Sequence, residues 1–206
     1  MSVAERRPMA KRVLIFIVLL LSVSEICGAE SASSVANGVF LVASPTLNDP
    51  NFSETVVLVL EHGAKGTLGV ILNRPTNMLL SEALPGIRAL KGSNHRLFAG
   101  GPVQPAAMLL LSRSKEPLPD MRSVFDHVYI GGGPEVLERI ISRAAPADRF
   151  RAFAGYAGWG PGQLGVEMRQ GAWAVLPPDN DMFDKDPASL WPESIARLQS
   201  PRVISN

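Results

Sequence analysis

The sequence predicts an α+β protein with a single domain. Short apolar runs recur along the chain with short turns between them: GVFLVA at Gly38–Ala43, TVVLVLE at Thr55–Glu61, then Thr67–Leu72, Ala106–Leu111, His127–Ile130 and Ala172–Leu176. One strong amphipathic helix, Pro134–Ala144, interrupts them, so the strands cluster instead of alternating with helices as a parallel sheet would require. The length, 206 residues, suits one domain with its own core.

The N-terminal residues are set apart from this plan. Arg6, Arg7, Lys11 and Arg12 precede the apolar run Val13–Leu21, and Cys27-Gly28-Ala29 supplies small residues for cleavage after Ala29. The run is shorter than the roughly 20 residues a spanning helix needs and has no 3.6-residue periodicity, which is the plan of a secretory signal peptide. The expected organisation is therefore a leader over residues 1–29 and a domain over 30–206, placed in the periplasm or secreted. An uncleaved anchor, or a cytoplasmic protein whose leader is not a signal peptide, is the alternative. Cleavage leaves 177 residues without cysteine and takes the net charge from +1 to −1, because the leader carries four basic and two acidic residues. Such a domain offers no disulfide, thiolate nucleophile or cysteine-based metal site, and no basic footprint for nucleic acid. Nor is a transmembrane span expected in the mature chain.

Within the domain, TVVLVLE is apolar almost throughout and reads as a central strand buried on both faces. His62–Gly66 reads as the turn of a hairpin to Thr67–Leu72, which Asn73-Arg74-Pro75-Thr76 closes. Met78–Leu90 is expected to be a short helix broken at Pro85-Gly86, and Lys115–Ser123 a loop. Gly100-Gly101-Pro102 marks backbone that glycine permits. Gly131-Gly132-Gly133 caps the Pro134 helix, whose face is Val136, Leu137, Ile140, Ile141 and Ala144; its spacing is not that of a dinucleotide fingerprint. Pro177–Asp186 contains four aspartates but lacks the glycine and closing glutamate of a calcium loop, and reads as solvated. Ser189–Gln199 is the last helix.

The densest stretch is FAGYAGWGPGQLGVEMRQGAW, Phe153–Trp173. Phe153–Tyr156 reads as a strand end, Ala157–Gly160 as a tight turn, and Pro161–Gln170 as a helix that stops at Gly171. Leu164 and Met168 would face the core, while Gln163, Glu167 and Gln170 share a second face. Gly165 costs that helix about 1 kcal/mol relative to alanine.

The chain resembles the YqgE/AlgH family. The resemblance rests on Gly38–Pro45, Asp49-Pro-Asn-Phe52, Thr55–Leu58, Glu61-His62, Gly66–Pro75, Gly100–Val103, Gly155–Trp159, Gly162–Leu164, Glu167 and Trp173. It implies a strongly coiled, mainly antiparallel sheet with a few flanking helices; some members are labelled regulators of transcription, and it supplies no catalytic residues. Gly165 stands where relatives usually carry an acidic residue, and Ser112 replaces a common histidine. An exported protein also departs from the regulator label, because transcription cannot be regulated from the periplasm.

Two function classes follow. One is a non-catalytic binding or regulatory module with a protein or small-molecule partner and no cofactor or metal. Its candidate surface is where Asn73, Arg74, Gly100 and Gly101 meet the start of the Pro161 helix, with Trp159, Gln163 and Glu167. In that stretch Trp159 would otherwise fill core while Glu167 accepts backbone N–H bonds. The other class is a small hydrolase using Glu167 with His62 or Asn73, which requires the three to line one pocket. The serines lack a Gly-x-Ser-x-Gly elbow, and His62, His95 and His127 are scattered.

Overall fold

The computed structural model describes residues 34–143 and 149–200; the leader with Cys27 and its cleavage point, and Ala144 of the expected helix face, lie outside them. Strands β1 (Phe40–Ala43) and β2 (Val56–Gly63) pair antiparallel. Val56–Leu60 are all buried, because β2 has a neighbour on each edge and packs on both faces. An unbroken apolar run leaves no polar face to turn toward water.

A hairpin joins β2 to β3 (Gly66–Ile71). It is tighter than the expected turn over His62–Gly66: pairing continues through His62↔Thr67 to Gly63↔Gly66, leaving Ala64 and Lys65 at the tip. β4 (Pro75–Leu79) and β5 (Arg96–Ala99) also pair antiparallel. Between them lie the single turn α1 (Leu80–Ala83) and a 3₁₀ turn at Arg88–Leu90. The helix expected from Met78 therefore begins two residues later, since Met78 and Leu79 belong to β4.

β6 (Val103–Arg113) is longer than its apolar stretch. β7 (Arg122–Phe125), at the edge of the sheet, falls partly inside the expected loop Lys115–Ser123. Its exposed Arg122 and Ser123 give it no apolar signature. β8 (Val128–Gly132) then leads into α2 (Pro134–Arg143), whose Val136, Leu137 and Ile140 are buried against Leu80, Leu90, Leu110 and Ala152.

β9 (Arg149–Trp159) is the spine of the molecule, pairing with β3, β5 and β6. The strand end and tight turn expected at Tyr156–Gly160 do not occur. Ala157, Gly158 and Trp159 stay in the strand because they pair with Gly69, Leu68 and Thr67. The following helix, α3 (Gln163–Arg169), starts two residues after Pro161, and Gly171 ends it as expected, donating its N–H to Met168. β10 (Trp173–Leu176) pairs with β1, and α4 (Pro187–Gln199) closes the described chain.

The strand path β10-β1-β2-β3-β9-β6-β8-β7 is one open sheet, mainly antiparallel, with the β4–β5 hairpin joined through β5. The architecture is thus α+β, as the clustered strands predict. One core region packs Phe40, Leu58, Leu72 and Phe153 with Met182 and Leu190; a second packs Leu41, Val57 and Ile71 with Trp159, Leu164 and Trp173. The aspartate-rich segment expected to be solvated is anchored instead. Met182 is buried, Asp179 bonds Lys185 and Arg197, and Asp184 pairs with Arg113 and Arg149.

Candidate functional site

The candidate residues divide among several places, beginning at the end of β9. There Trp159 and Trp173 lie edge to face, with ring centroids 5.6 Å apart, and Phe52 packs on both. Each buried indole must give its N–H an acceptor. Glu167 provides it: Oε2 accepts from Trp159 Nε1 at 2.9 Å and from Trp173 Nε1 at 2.8 Å. Its Oε1 accepts from Gln163 Nε2 at 2.9 Å, and Gln163 Oε1 in turn accepts the N–H of Gly160 at 3.0 Å. Glu167 is thus bonded by side-chain donors where backbone donors were expected. Leu164 is buried and Met168 partly so, on the core side of α3.

Asn73 and Arg74 hold a loop together. Asn73 Oδ1 accepts the Val56 N–H at 3.0 Å while its Nδ2 donates to the Glu54 carbonyl at 2.9 Å. Arg74 donates to the carbonyls of Pro50 and Ser53, each at 3.1 Å. Both residues border a groove of about 510 Å³ whose other wall includes Trp191 and Pro192 of α4.

Gly100 and Gly101 take the chain from β5 to β6 directly over β9. Gly100 donates to the Ala154 carbonyl at 2.8 Å and accepts from Ile71 at 2.9 Å. A Cβ at Gly100 would collide with the carbonyl of Gly155, and one at Gly101 with Tyr156 backbone. Glycine is needed here because two backbones touch. These glycines lie against Gly155 and Tyr156, whereas the turn before α3 lies beyond Trp159, beside Gly66.

A separate cleft of about 700 Å³ lies between the β2–β3 hairpin and the end of β9, bordered by Glu61, His62, Lys65, Thr67, Tyr156 and Trp159 among others. His62 Nδ1 and Thr67 Oγ1 are 2.7 Å apart. Glu61 is 3.9 Å from Arg122. His62 borders this cleft, Asn73 borders the α4 groove, and Glu167 lines neither. The three residues of the hydrolase reading do not converge. Among the described residues, no three of His, Cys, Asp or Glu gather where a metal ion would be held.

A family model described as AlgH-like (DUF179) matches residues 40–202. The chain belongs to the AlgH-like family. A UPF0301 protein of Streptomyces avermitilis is 38% identical over 183 residues, covering 84% of this chain and 91% of that protein. One from Streptomyces coelicolor is 39% identical over 181 residues, covering 82% and 90%. The solution structure of the AlgH protein from Pseudomonas aeruginosa superposes with a TM-score of 0.67 at 29% identity, over 82% of this chain and 93% of that one. The crystal structure of protein DIP2367 from Corynebacterium diphtheriae has a TM-score of 0.70, covers 85% and 93%, and at 23% identity shows the fold alone.

Against the AlgH-like pattern, the Gly165 position is open: an added Cβ would meet only Arg169 Nη1, at 3.5 Å. An acidic residue there would sit four residues before Arg169, at helix ion-pair spacing. Ser112 is buried and lies 3.5 Å from the Arg149 carbonyl.

One group in this AlgH-like chain escapes sequence reading. Arg151 points inward and is 7% exposed. It donates to the carbonyls of Leu72 at 3.0 Å, Met182 at 2.6 Å and Lys185 at 3.4 Å, and lies over the rings of Phe98 and Phe183. Burial lowers its pKa to about 10, partly opposed by the charge of Asp184. The signal available in sequence was an arginine inside a strand otherwise flanked by Phe150, Ala152 and Phe153.

Proposed function

We propose that the protein is a non-catalytic binding or regulatory module that acts after export. The observation that carries this reading is how the polar candidates are used. Asn73 and Arg74 bond backbone carbonyls and an amide, and Glu167 and Gln163 bond indoles and each other. A general base must instead be within hydrogen-bond reach of a substrate proton and oriented by a partner. His62 borders the hairpin cleft, Asn73 the α4 groove and Glu167 neither, so the three residues do not line one pocket, as the hydrolase reading would need. Export is supported by the basic and apolar leader, which precedes the family match at residue 40. No helix among the described residues is long and apolar enough to cross a membrane.

The test sets turnover and binding side by side. The purified domain is offered p-nitrophenyl esters and phosphates, a DNA duplex in a gel-shift series at rising salt, and a small-molecule library followed by thermal melting. The expected outcome is no turnover, no salt-sensitive retardation of DNA, and at least one ligand that raises Tm. Turnover abolished by Glu167→Gln would overturn the non-catalytic reading. Submicromolar, salt-sensitive DNA binding would reinstate a nucleic-acid role, since each phosphate contact contributes to the salt slope.

A further inference from the structure

Arg151 forms part of the lining of a cleft of about 440 Å³, within the range of roughly 300–1,000 Å³ typical of small-molecule sites. Around it stand His95, Arg96, Phe98, Phe150, Phe183 and Lys185. Two facts make this more than a surface dent. First, Arg151 is 7% exposed and has no carboxylate hydrogen-bonded to it among the described residues; the Asp184 carboxylate acts on it only through its charge and is itself paired with Arg113 and Arg149. The three Arg151 bonds to carbonyls occupy both Nη2 hydrogens and one on Nη1. The Nε–H and the second Nη1–H have no acceptor among those residues. A buried cation normally has its charge matched by a partner.

Second, the lining itself carries Arg96, Arg151 and Lys185 against one carboxylate, Asp186. Arg96 makes only long contacts, 3.4 and 3.5 Å, to the carbonyls of Thr76 and Asn77. Lys185 is already paired with Asp179 and Glu193. Asp186 also borders the cleft, but its Oδ1 caps α4 by accepting the Ala188 N–H at 3.0 Å. Phe150 and Phe183 supply apolar wall, with the His95 ring 4.4 Å from that of Phe150. Arginine is suited to such a place because its planar donors match carboxylate and phosphate oxygens.

We propose that this cleft binds a small organic anion, its carboxylate or phosphate group held by Arg151 and Arg96 and its apolar body lying against Phe150 and Phe183. The assignment deepens the binding-module reading and rests on it for the expectation that the ligand is held without being converted.

Benzoate, phenyl phosphate, inorganic phosphate and the neutral benzamide are titrated into the isotope-labelled domain and followed by amide and side-chain NMR. At least one aryl anion should shift His95, Arg96, Phe150 and Phe183 saturably and bind more tightly than inorganic phosphate; which of the two does so identifies the oxyanion. Arg96→Gln, an exposed change that leaves the three Arg151 bonds in place, should weaken it about tenfold, as loss of one charge-assisted hydrogen bond implies. Arg151→Lys is made as well, with its fold checked by the same spectra. Benzamide binding as tightly as benzoate, affinity unchanged by Arg96→Gln, or shifts confined to other surfaces would each overturn the assignment. Aryl anions that bind only at another surface would overturn it while leaving the binding-module reading intact. Release of phenol from phenyl phosphate bound in the cleft would support the site and overturn the non-catalytic reading.

Discussion

At the residue scale, the decisive interaction is one carboxylate oxygen shared by two indoles. Trp159 and Trp173 are each 5% exposed, so removing Glu167 leaves two buried donors without their acceptor. At roughly 1–3 kcal/mol per unsatisfied group, Glu167→Ala should cost about 2–6 kcal/mol. Glu167→Gln keeps an oxygen for the indoles but sets an amide N–H against Gln163 Nε2, and should cost about 1–2 kcal/mol. Urea midpoints measure both, and the two indole N–H resonances should shift in each variant. Wild-type stability in Glu167→Ala would show that the shared acceptor contributes nothing. Trp159, Gln163 and Glu167 lie together, bonded across no more than 8 residues of sequence, although Trp159 ends a strand where a tight turn was expected. Sequence reading does not give the role of Asn73 or the inward direction of Arg151, whose partners are 17 and 79 residues away in the chain. Those contacts depend on which strands pair, and composition does not encode pairing.

At the scale of elements, the strands with continuous apolar runs were legible and the others were not. β2 announces itself through Val56–Leu60, whereas β7 and β4 are short strands with exposed polar residues, specified by their neighbours in the sheet. The glycines of β9 misled in an instructive way, since they permit close backbone approach as readily as a turn. The segment between β10 and α4 carries a prediction of its own. Burial disfavours the ionised Asp179, but the Asp181 N–H, Lys185 and Arg197 outweigh it and hold the pKa below the usual aspartate value. Asp184 is lowered chiefly by its hydrogen bond from Arg113, with Arg149 assisting. For carboxylates depressed in the folded state, the unfolded chain takes up protons first. Their contribution is therefore fully present above the ordinary aspartate pKa near 3.9 and is lost as pH falls through the lower folded values. Melting temperature should accordingly fall as pH drops below about 4. In Asp179→Asn/Asp184→Asn, Tm should be lower at pH 7 and the acid slope shallower. A double variant with an unchanged acid slope would assign the acid sensitivity to other carboxylates.

At the scale of the whole molecule, the family domain follows a basic and apolar N-terminal stretch. The AlgH-like match begins at residue 40, and the four basic residues, the apolar run and the only cysteine all precede it. If the leader directs export, cleavage after Ala29 yields a chain starting at Glu30 that is cysteine-free and close to neutral, suited to an oxidising compartment because no free thiol remains to be oxidised there. Intact-mass measurement on protein recovered from its native host decides the matter, with the periplasmic or secreted fraction kept apart from the cytosol. The expected mass is that of residues 30–206, in the exported fraction and unchanged by iodoacetamide, since Cys27 has left with the leader. Cytosolic protein beginning at Met1 or Met9, one mass increment heavier after alkylation, would overturn export. The regulator reading would then regain the compartment it needs, and the anion cleft would have to be tested against cytosolic metabolites instead of exported ones.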